Sequence, residues 1–317
     1  MSENISASAA EKPSWRASLL LFVKGLAMGA ADVVPGVSGG TIAFITGIYE
    51  QLIFSLKSLD VAALRLLWQF RWKAFWEKIN GTFLLTLLSG IAIAILSLSK
   101  VILYLLQHQA VLLWSFFFGL VLASAWVVSK KIERWSWSVL LALALGAGLA
   151  YFITVATPAE SPEASWFVFL SGAIAICAMI LPGISGSFIL VLLGKYKYIL
   201  EAVAAFDIKV VIVFLVGCVV GLLSFVRLLS YMLKQHYQIT VALLTGFMLG
   251  SLNKVYPWKR IVSTDRKGNP LLTENVSPDS FTAITGQDAQ LLWAVLLALF
   301  AFVLVYFLER LGEKKLA

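Results

Sequence analysis

The pattern Pro-Gly-X-Ser-Gly occurs twice in this chain, each time inside an otherwise apolar stretch. The first copy is Pro35-Gly36-Val37-Ser38-Gly39-Gly40 and the second is Pro182-Gly183-Ile184-Ser185-Gly186-Ser187. Proline removes a backbone donor, and glycine tolerates unusual backbone angles. A helix that reaches either copy must break there. Inside hydrocarbon such a break survives only where protein or a cavity covers the freed backbone groups. A chain with two such breaks is therefore held to a narrow set of architectures.

The surroundings place the breaks in a membrane. Apolar runs such as 138–156 and 291–308 are long enough to span a bilayer. Only 13% of the 317 residues are charged, against about a quarter in a soluble domain. The runs are continuously apolar rather than alternating, which predicts helices and not a barrel. The formal charge of +8 reads as loop Lys and Arg that hold orientation. No nucleic-acid-binding module accompanies it, so no nucleic-acid partner is expected. Cys177 and Cys218 lie within apolar segments and read as small packing residues. No disulfide framework, metal site or cofactor is expected from them.

The two motif copies belong to a longer internal repeat. Gly25, Pro35, Gly36, Ser38, Gly39, Gly47 and Tyr49 recur 147 positions later as Gly172, Pro182, Gly183, Ser185, Gly186, Gly194 and Tyr196. A second set recurs 127 positions later. Gly90, Lys100, Tyr104, Gly119 and Ser124 match Gly217, Arg227, Tyr231, Gly246 and Ser251. Residues 1–16 read as a cytoplasmic tail and 17–156 as the first repeat. Residues 157–165 form a linker, 166–309 the second repeat and 310–317 a second cytoplasmic tail. The first repeat holds a broken helix at 17–56 and spans at 80–106, 110–129 and 138–156. The second holds a broken helix at 166–200 and spans at 208–233, 238–252 and 289–309.

The arms of the second broken helix are about sixteen residues, or roughly 24 Å, against a hydrocarbon core of roughly 30 Å. They predict a re-entrant hairpin. The first pair is longer, and two full crossings also fit it. In both cases each repeat crosses an odd number of times, so two in series have opposite orientation. The expected fold is an all-α polytopic membrane protein of two inverted-topology repeats. Each is a re-entrant helical hairpin plus three transmembrane helices, a layout common in secondary transporters.

Lys and Arg counts place both termini inside the cell, since the 157–165 linker carries Glu160 and Glu163 and no Lys or Arg. One segment disagrees. Residues 253–288 fall outside on this reading, yet hold Lys254, Lys259, Arg260, Arg266 and Lys267. The Trp-rich stretches (Trp68, Trp72, Trp76 and Trp135, Trp137) suit interfacial belts.

The candidate site follows from the breaks. A half-helix starting at Ser38 or Ser185 presents unpaired N–H groups and a positive dipole end, which suits an anion. The candidate phosphate ligands are Pro35, Gly36, Val37, Ser38, Gly39, Gly40 and Thr41, with Gly183, Ile184, Ser185, Gly186 and Ser187. A Gly/Ser kink for close helix packing is the competing reading. Arg227 and Lys100 are charges within spans, and two roles fit them: neutralising a phosphate, or snorkelling to an interface. Lys24 reads equally as a phosphate ligand or a flanking anchor. Asp32 and Glu50 are candidates for proton coupling, Asp32 also for a salt bridge or helix cap. Asp32 has Met179 as its counterpart, so this carboxylate belongs to one half. His108 and His236 fall at span ends.

Lys24-Gly25 with 28–41 and Gly47-Ile48-Tyr49-Glu50, and later Leu181-Pro182-Gly183-Ile184-Ser185-Gly186-Ser187, resemble the PopT-type polyprenyl-phosphate transporter family over about 17–309. The resemblance implies return of undecaprenyl phosphate from the outer to the inner leaflet of the bacterial cytoplasmic membrane, for recycling of the envelope carrier lipid. It implies dependence on the proton-motive force, so the partners are the polyprenyl-phosphate lipid, membrane lipids and protons. The family motif residues carried over are Asp32, Pro35, Gly36, Ser38, Gly39, Gly40, Glu50, Pro182, Gly183, Ser185 and Gly186. The second copy departs from the first, with Ser187 for Gly40 and Phe188 for Thr41.

Two other classes compete. A small-anion channel or exchanger also uses inverted half-helix ends, and the residues alone separate it poorly from a lipid-phosphate flippase; the resemblance decides. An intramembrane serine protease would use Gly-X-Ser-Gly, but its serine needs a base within reach, and both histidines sit at span ends. No catalytic residue is expected.

Overall fold

A computed structural model describes residues 15–34, 37–158, 161–264 and 270–313. The first half folds as α1 (Trp15–Val33), α2 (Gly39–Ile45), α3 (Tyr49–Lys57), α4 (Val61–Trp68), α5 (Trp72–Lys78), α6 (Gly81–His108), α7 (Ala110–Ser129) and α8 (Trp137–Val155). The second half folds as α9 (Ser165–Ile180), α10 (Gly186–Leu192), α11 (Tyr196–Ala204), α12 (Ile208–Gln235) and α13 (Tyr237–Ser251). It continues through β1 (Lys259–Thr264), β2 (Pro270–Asn275) and α14 (Pro278–Thr285) to α15 (Leu291–Glu313).

Helices α6, α7, α8 and α12 are long and apolar enough to cross a membrane; α9, α13 and the Leu291–Phe307 part of α15 are apolar but shorter. The chain is a mainly helical, multi-pass membrane protein.

The halves repeat in detail. Helices α2 and α10 have 7 residues each, α3 and α11 have 9, and α6 and α12 have 28. Helix α6 turns into α7 on the single residue Gln109, and α12 turns into α13 on His236, with nearly the same backbone angles. Helix α1 packs on α6, and α9 packs on α12. A Cβ on Gly90 would stand 2.4 Å from the carbonyl oxygen of Phe22, and one on Gly217 would stand 2.1 Å from that of Phe169. Phe22 and Phe169 are themselves 147 positions apart, so the matched glycines serve matched helix crossings. The halves also exchange partners: α8 packs on α13 and α15 on α7.

Three features depart from the sequence expectations. The second arm of each broken helix, expected unbroken over 38–56 and 185–200, is itself two helices. Gly47 (φ 73°) and Gly194 (φ 63°) turn the chain through the left-handed region between them, which glycine enters without a steric penalty. The matched Gly-X-Tyr is thus a second break. The 57–79 segment, assigned no element, holds α4 and α5, the first capped by Asp60, which accepts from the Ala63 amide at 2.8 Å. The 253–288 segment is not all-α. It holds an antiparallel β1–β2 ribbon pairing Lys259 with Asn275 and Arg260 with Glu274, then α14, started by Pro278 and stopped by Gly286.

The two short helices are enclosed unequally. Every residue of α2 is buried, against α1, α7, α9 and α15. In α10 only Gly186 and Ile189 are buried.

Candidate functional site

The first break is pinned from both sides. Pro35 and Gly36 lie outside the described residues. Val37, Ser38, Gly39, Gly40 and Thr41 are all buried. The Asp32 carboxylate accepts a hydrogen bond from the Gly39 amide at 2.7 Å, and Ser38 Oγ accepts one from the Gly40 amide at 3.1 Å. A Cβ on Gly39 would stand 2.6 Å from Asp32 Oδ2, so this residue must be glycine for the carboxylate to reach the helix end. Asp32 thereby occupies the place at the start of α2 that an outside anion would take.

The second break meets the first. The Ser38 hydroxyl donates to the Met179 carbonyl at 3.2 Å, and the Tyr49 hydroxyl donates to the Ile180 carbonyl at 3.3 Å. The Gly183 amide donates to Thr41 Oγ1 at 3.0 Å. Three side chains of the first half therefore hold the backbone at 179–183, where proline and glycine end α9 and leave the carbonyls of its last two residues and the Gly183 amide without a helical partner. Gly183 has φ 86°.

The second tip keeps a looser inventory. Gly183, Ile184, Ser185 and Gly186 are buried, while Ser187 is exposed. Ser185 Oγ and Ser187 Oγ lie 2.9 Å apart and share one hydrogen bond. Met179 stands where the first half has Asp32, so among the described residues no carboxylate closes this tip from within. Gly183 and Ser185 line a small cleft with Thr154, Phe188 and Lys254.

The remaining candidates lie elsewhere. Lys24 Nζ donates to the Thr46 carbonyl at 2.6 Å, at the far end of α2, about 10 Å of helix from the tip. The equivalent carbonyl of Leu193 accepts from Ser161 Oγ at 2.5 Å, and buried Lys195 reaches the Ser161 carbonyl at 3.1 Å. Both lysines sit at the negative ends of the short helices. The Glu50 carboxylate lies beside Tyr237, where α3 comes near the start of α13. Arg227 is exposed on α12, its guanidinium bonded to its own Leu223 carbonyl at 2.9 Å, and Lys100 is exposed on α6. Neither is among the residues gathered at the tips.

Sequence reasoning missed Lys254 and Lys259 as site residues. Lys254 Nζ lies 4.0 Å from the Phe188 ring centroid and Lys259 Nζ lies 4.1 Å from that of Trp114. Lys259 also donates to the Lys254 carbonyl. Burial holds the Lys254 ammonium below the usual lysine range. Burial, and then the Lys254 charge, bring Lys259 down to about 7. The signal was present in the sequence, as basic residues in a segment whose assigned side should lack them.

Comparison with known proteins decides the family. Residues 28–270 match the undecaprenyl phosphate translocase-like family. The chain belongs to that family. It is 48% identical over 305 residues to the polyprenyl-phosphate transporter of Vibrio cholerae serotype O1, covering 93% of this chain and 97% of that protein. It is 31% identical over 255 residues to the polyprenyl-phosphate transporter of Staphylococcus aureus, covering 74% of this chain and 85% of that protein. No solved structure matches. The family match covers both tips, α2, α10, Lys254 and Lys259; Lys24 precedes it.

Proposed function

We propose that this chain is a flippase that returns undecaprenyl phosphate from the outer to the inner leaflet of the bacterial cytoplasmic membrane, driven by the proton-motive force. The observation that carries it is the near full-length likeness to the Vibrio cholerae polyprenyl-phosphate transporter. The meeting of the two tips supports it: residues 38–49 of one half hold residues 179–183 of the other. The halves act as inverted repeats, each with a re-entrant hairpin, and the phosphate head is handled where the hairpins touch. The polyprenyl tail stays in lipid between helices. Rocking of one half against the other alternates access.

Asp32 is the proposed proton carrier. As a carboxylate it accepts from the Gly39 amide; once protonated it is a poorer acceptor, and the grip on the start of α2 loosens. Protonation is then coupled to the packing of the first tip, and through Ser38 and Thr41 to the second. Glu50, beside Tyr237, is a second proton site in this reading.

No enzymatic step is proposed. Ser38 and Ser185 bond to a carbonyl and to another hydroxyl. His108 and His236 lie at helix ends, with His108 stacked on Tyr104 at 4.2 Å. A serine nucleophile needs a base at hydrogen-bond distance.

The test is reconstitution. Proteoliposomes should move a fluorescent polyprenyl phosphate between leaflets, faster under an imposed pH gradient. Chloride flux with no movement of lipid phosphate would reject the reading in favour of a small-anion channel or exchanger.

A further inference from the structure

The 253–288 segment carries charges that orientation rules do not explain. Arg260 has an acid partner, Glu274, at 2.5 Å. Among the described residues no ion pair reaches Lys254 or Lys259. Each ammonium instead lies over an aromatic face, Phe188 for one and Trp114 for the other. The two are tied together by the bond from Lys259 to the Lys254 carbonyl. Two neighbouring cations, partly withdrawn from water and without a carboxylate, are a costly arrangement unless an anion joins them.

The narrow cleft beside Lys254, with room for about one water, brings polar groups of the second tip next to this cation and must widen to admit a phosphate. Lys254 lines it with Ser185, Gly183 and Thr154. The Ser185 and Ser187 hydroxyls share one bond, so one of their two protons is left to donate outward. Thr154 is already engaged, donating to the Tyr151 carbonyl at 2.7 Å and accepting from Asn253 at 2.7 Å.

We propose that Lys254, backed by Lys259 and aided by the Ser185–Ser187 hydroxyl pair, binds a phosphate monoester head at the second tip, which enters from the side of the α13–β1 connection that carries Lys254. A monoester carries close to two negative charges near neutral pH, which Lys254 and the protonated form of Lys259 match. Lysine serves phosphate as a point charge, so no bidentate geometry is demanded. The inference rests on the polyprenyl-phosphate reading and adds to it the cation and the side of entry. Free phosphate shares the same chemistry, and the tail separates the two sources.

Binding to the purified full-length chain in nanodiscs tests this. The probes are undecaprenyl phosphate, undecaprenol, phosphatidylglycerol and inorganic phosphate. Undecaprenyl phosphate should bind the unaltered protein, at least tenfold more weakly after Lys254→Gln, and within a few-fold of the original after Lys254→Arg. Ser185→Ala with Ser187→Ala gives a second, charge-neutral reduction. Undecaprenol and phosphatidylglycerol should show no such dependence. An unchanged affinity in Lys254→Gln and Lys259→Gln, with the unaltered protein still binding the lipid phosphate, overturns this site and leaves the transport reading standing. No binding of undecaprenyl phosphate by the unaltered protein defeats the transport reading itself. If inorganic phosphate alone binds and depends on Lys254, the occupant is a free anion and the lipid assignment falls.

Discussion

The amide of Gly183 donates to the hydroxyl oxygen of Thr41 at 3.0 Å, joining the two breaks across 142 residues of sequence. Both groups are buried. Thr41 thus acts as the acceptor that the second tip's amide lacks within its own helix. Thr41→Val keeps the shape and removes the acceptor. A buried donor left unpaired costs about 1–3 kcal/mol. Thermal unfolding in detergent should show that loss for Thr41→Val and little change for Thr41→Ser. Equal midpoints for the two variants would mean the bond contributes nothing.

Asp32 permits a separation of structure from coupling. Asn can still accept the Gly39 amide but cannot bind and release a proton near neutral pH. Asp32→Asn should therefore stay folded, with a thermal midpoint close to that of the unaltered protein, and lose the dependence of lipid movement on an imposed pH gradient. Asp32→Ala should lose stability as well, since the buried Gly39 amide loses its acceptor while the Ser38 cap remains. Gradient-dependent movement in Asp32→Asn would remove this residue from the coupling.

The glycine crossings make a matched set. Gly90→Ala and Gly217→Ala each push a methyl group against a carbonyl, of Phe22 and Phe169. Overpacking of this kind costs about 1–3 kcal/mol. Gly148, on α8, has nothing within 4 Å of an added Cβ, so Gly148→Ala should be neutral or stabilising, by up to about 1 kcal/mol. Similar effects of all three on the unfolding midpoint would argue that α1–α6 and α9–α12 are not closely packed.

Lys259 sets a pH dependence. Its value in the folded protein is about 7, below that of an unfolded lysine, so between 7 and about 10.4 the unfolded chain binds more protons. Stability should rise with pH over that window, and Lys259→Met should flatten the rise. The groups facing Lys259 are Lys254, the Trp114 ring on α7 and Asn275 across the ribbon, none of which reverses the sign. Phosphate binding runs the other way. It should weaken as pH climbs from 6.5 to 8.5 and the ammonium is lost, and Lys259→Arg should keep it level. A stability curve flat through this range contradicts the assigned environment.

Much of the scaffold is legible in the chain. The breaks at Ser38 and Ser185 follow from proline and glycine chemistry, which acts locally. The matched glycines predict paired crossings, because residues 147 or 127 positions apart sit at equivalent places in each half. Gly47 and Gly194 were equally visible, yet their left-handed turn was not inferred, since glycine also serves close packing and a single residue does not separate the roles.

The roles of the charged side chains depended on the fold. Arg227 and Lys100 have the composition of phosphate ligands but face outward, because the helical phase that buries Val226 and Leu229 turns Arg227 away. Lys254 looked like a misplaced loop charge until the chain reversal after α13 laid it over Phe188. The two tips share a motif but not a role: Asp32 fills the first from within, while Met179 leaves the second to its neighbours. The chain alone was enough to establish a membrane protein whose helices break at two copies of one motif, because backbone chemistry and apolar length are local properties. Only the tertiary structure decided which cations and hydroxyls stand beside each break, because those contacts join segments dozens of residues apart and follow from packing rather than from spacing.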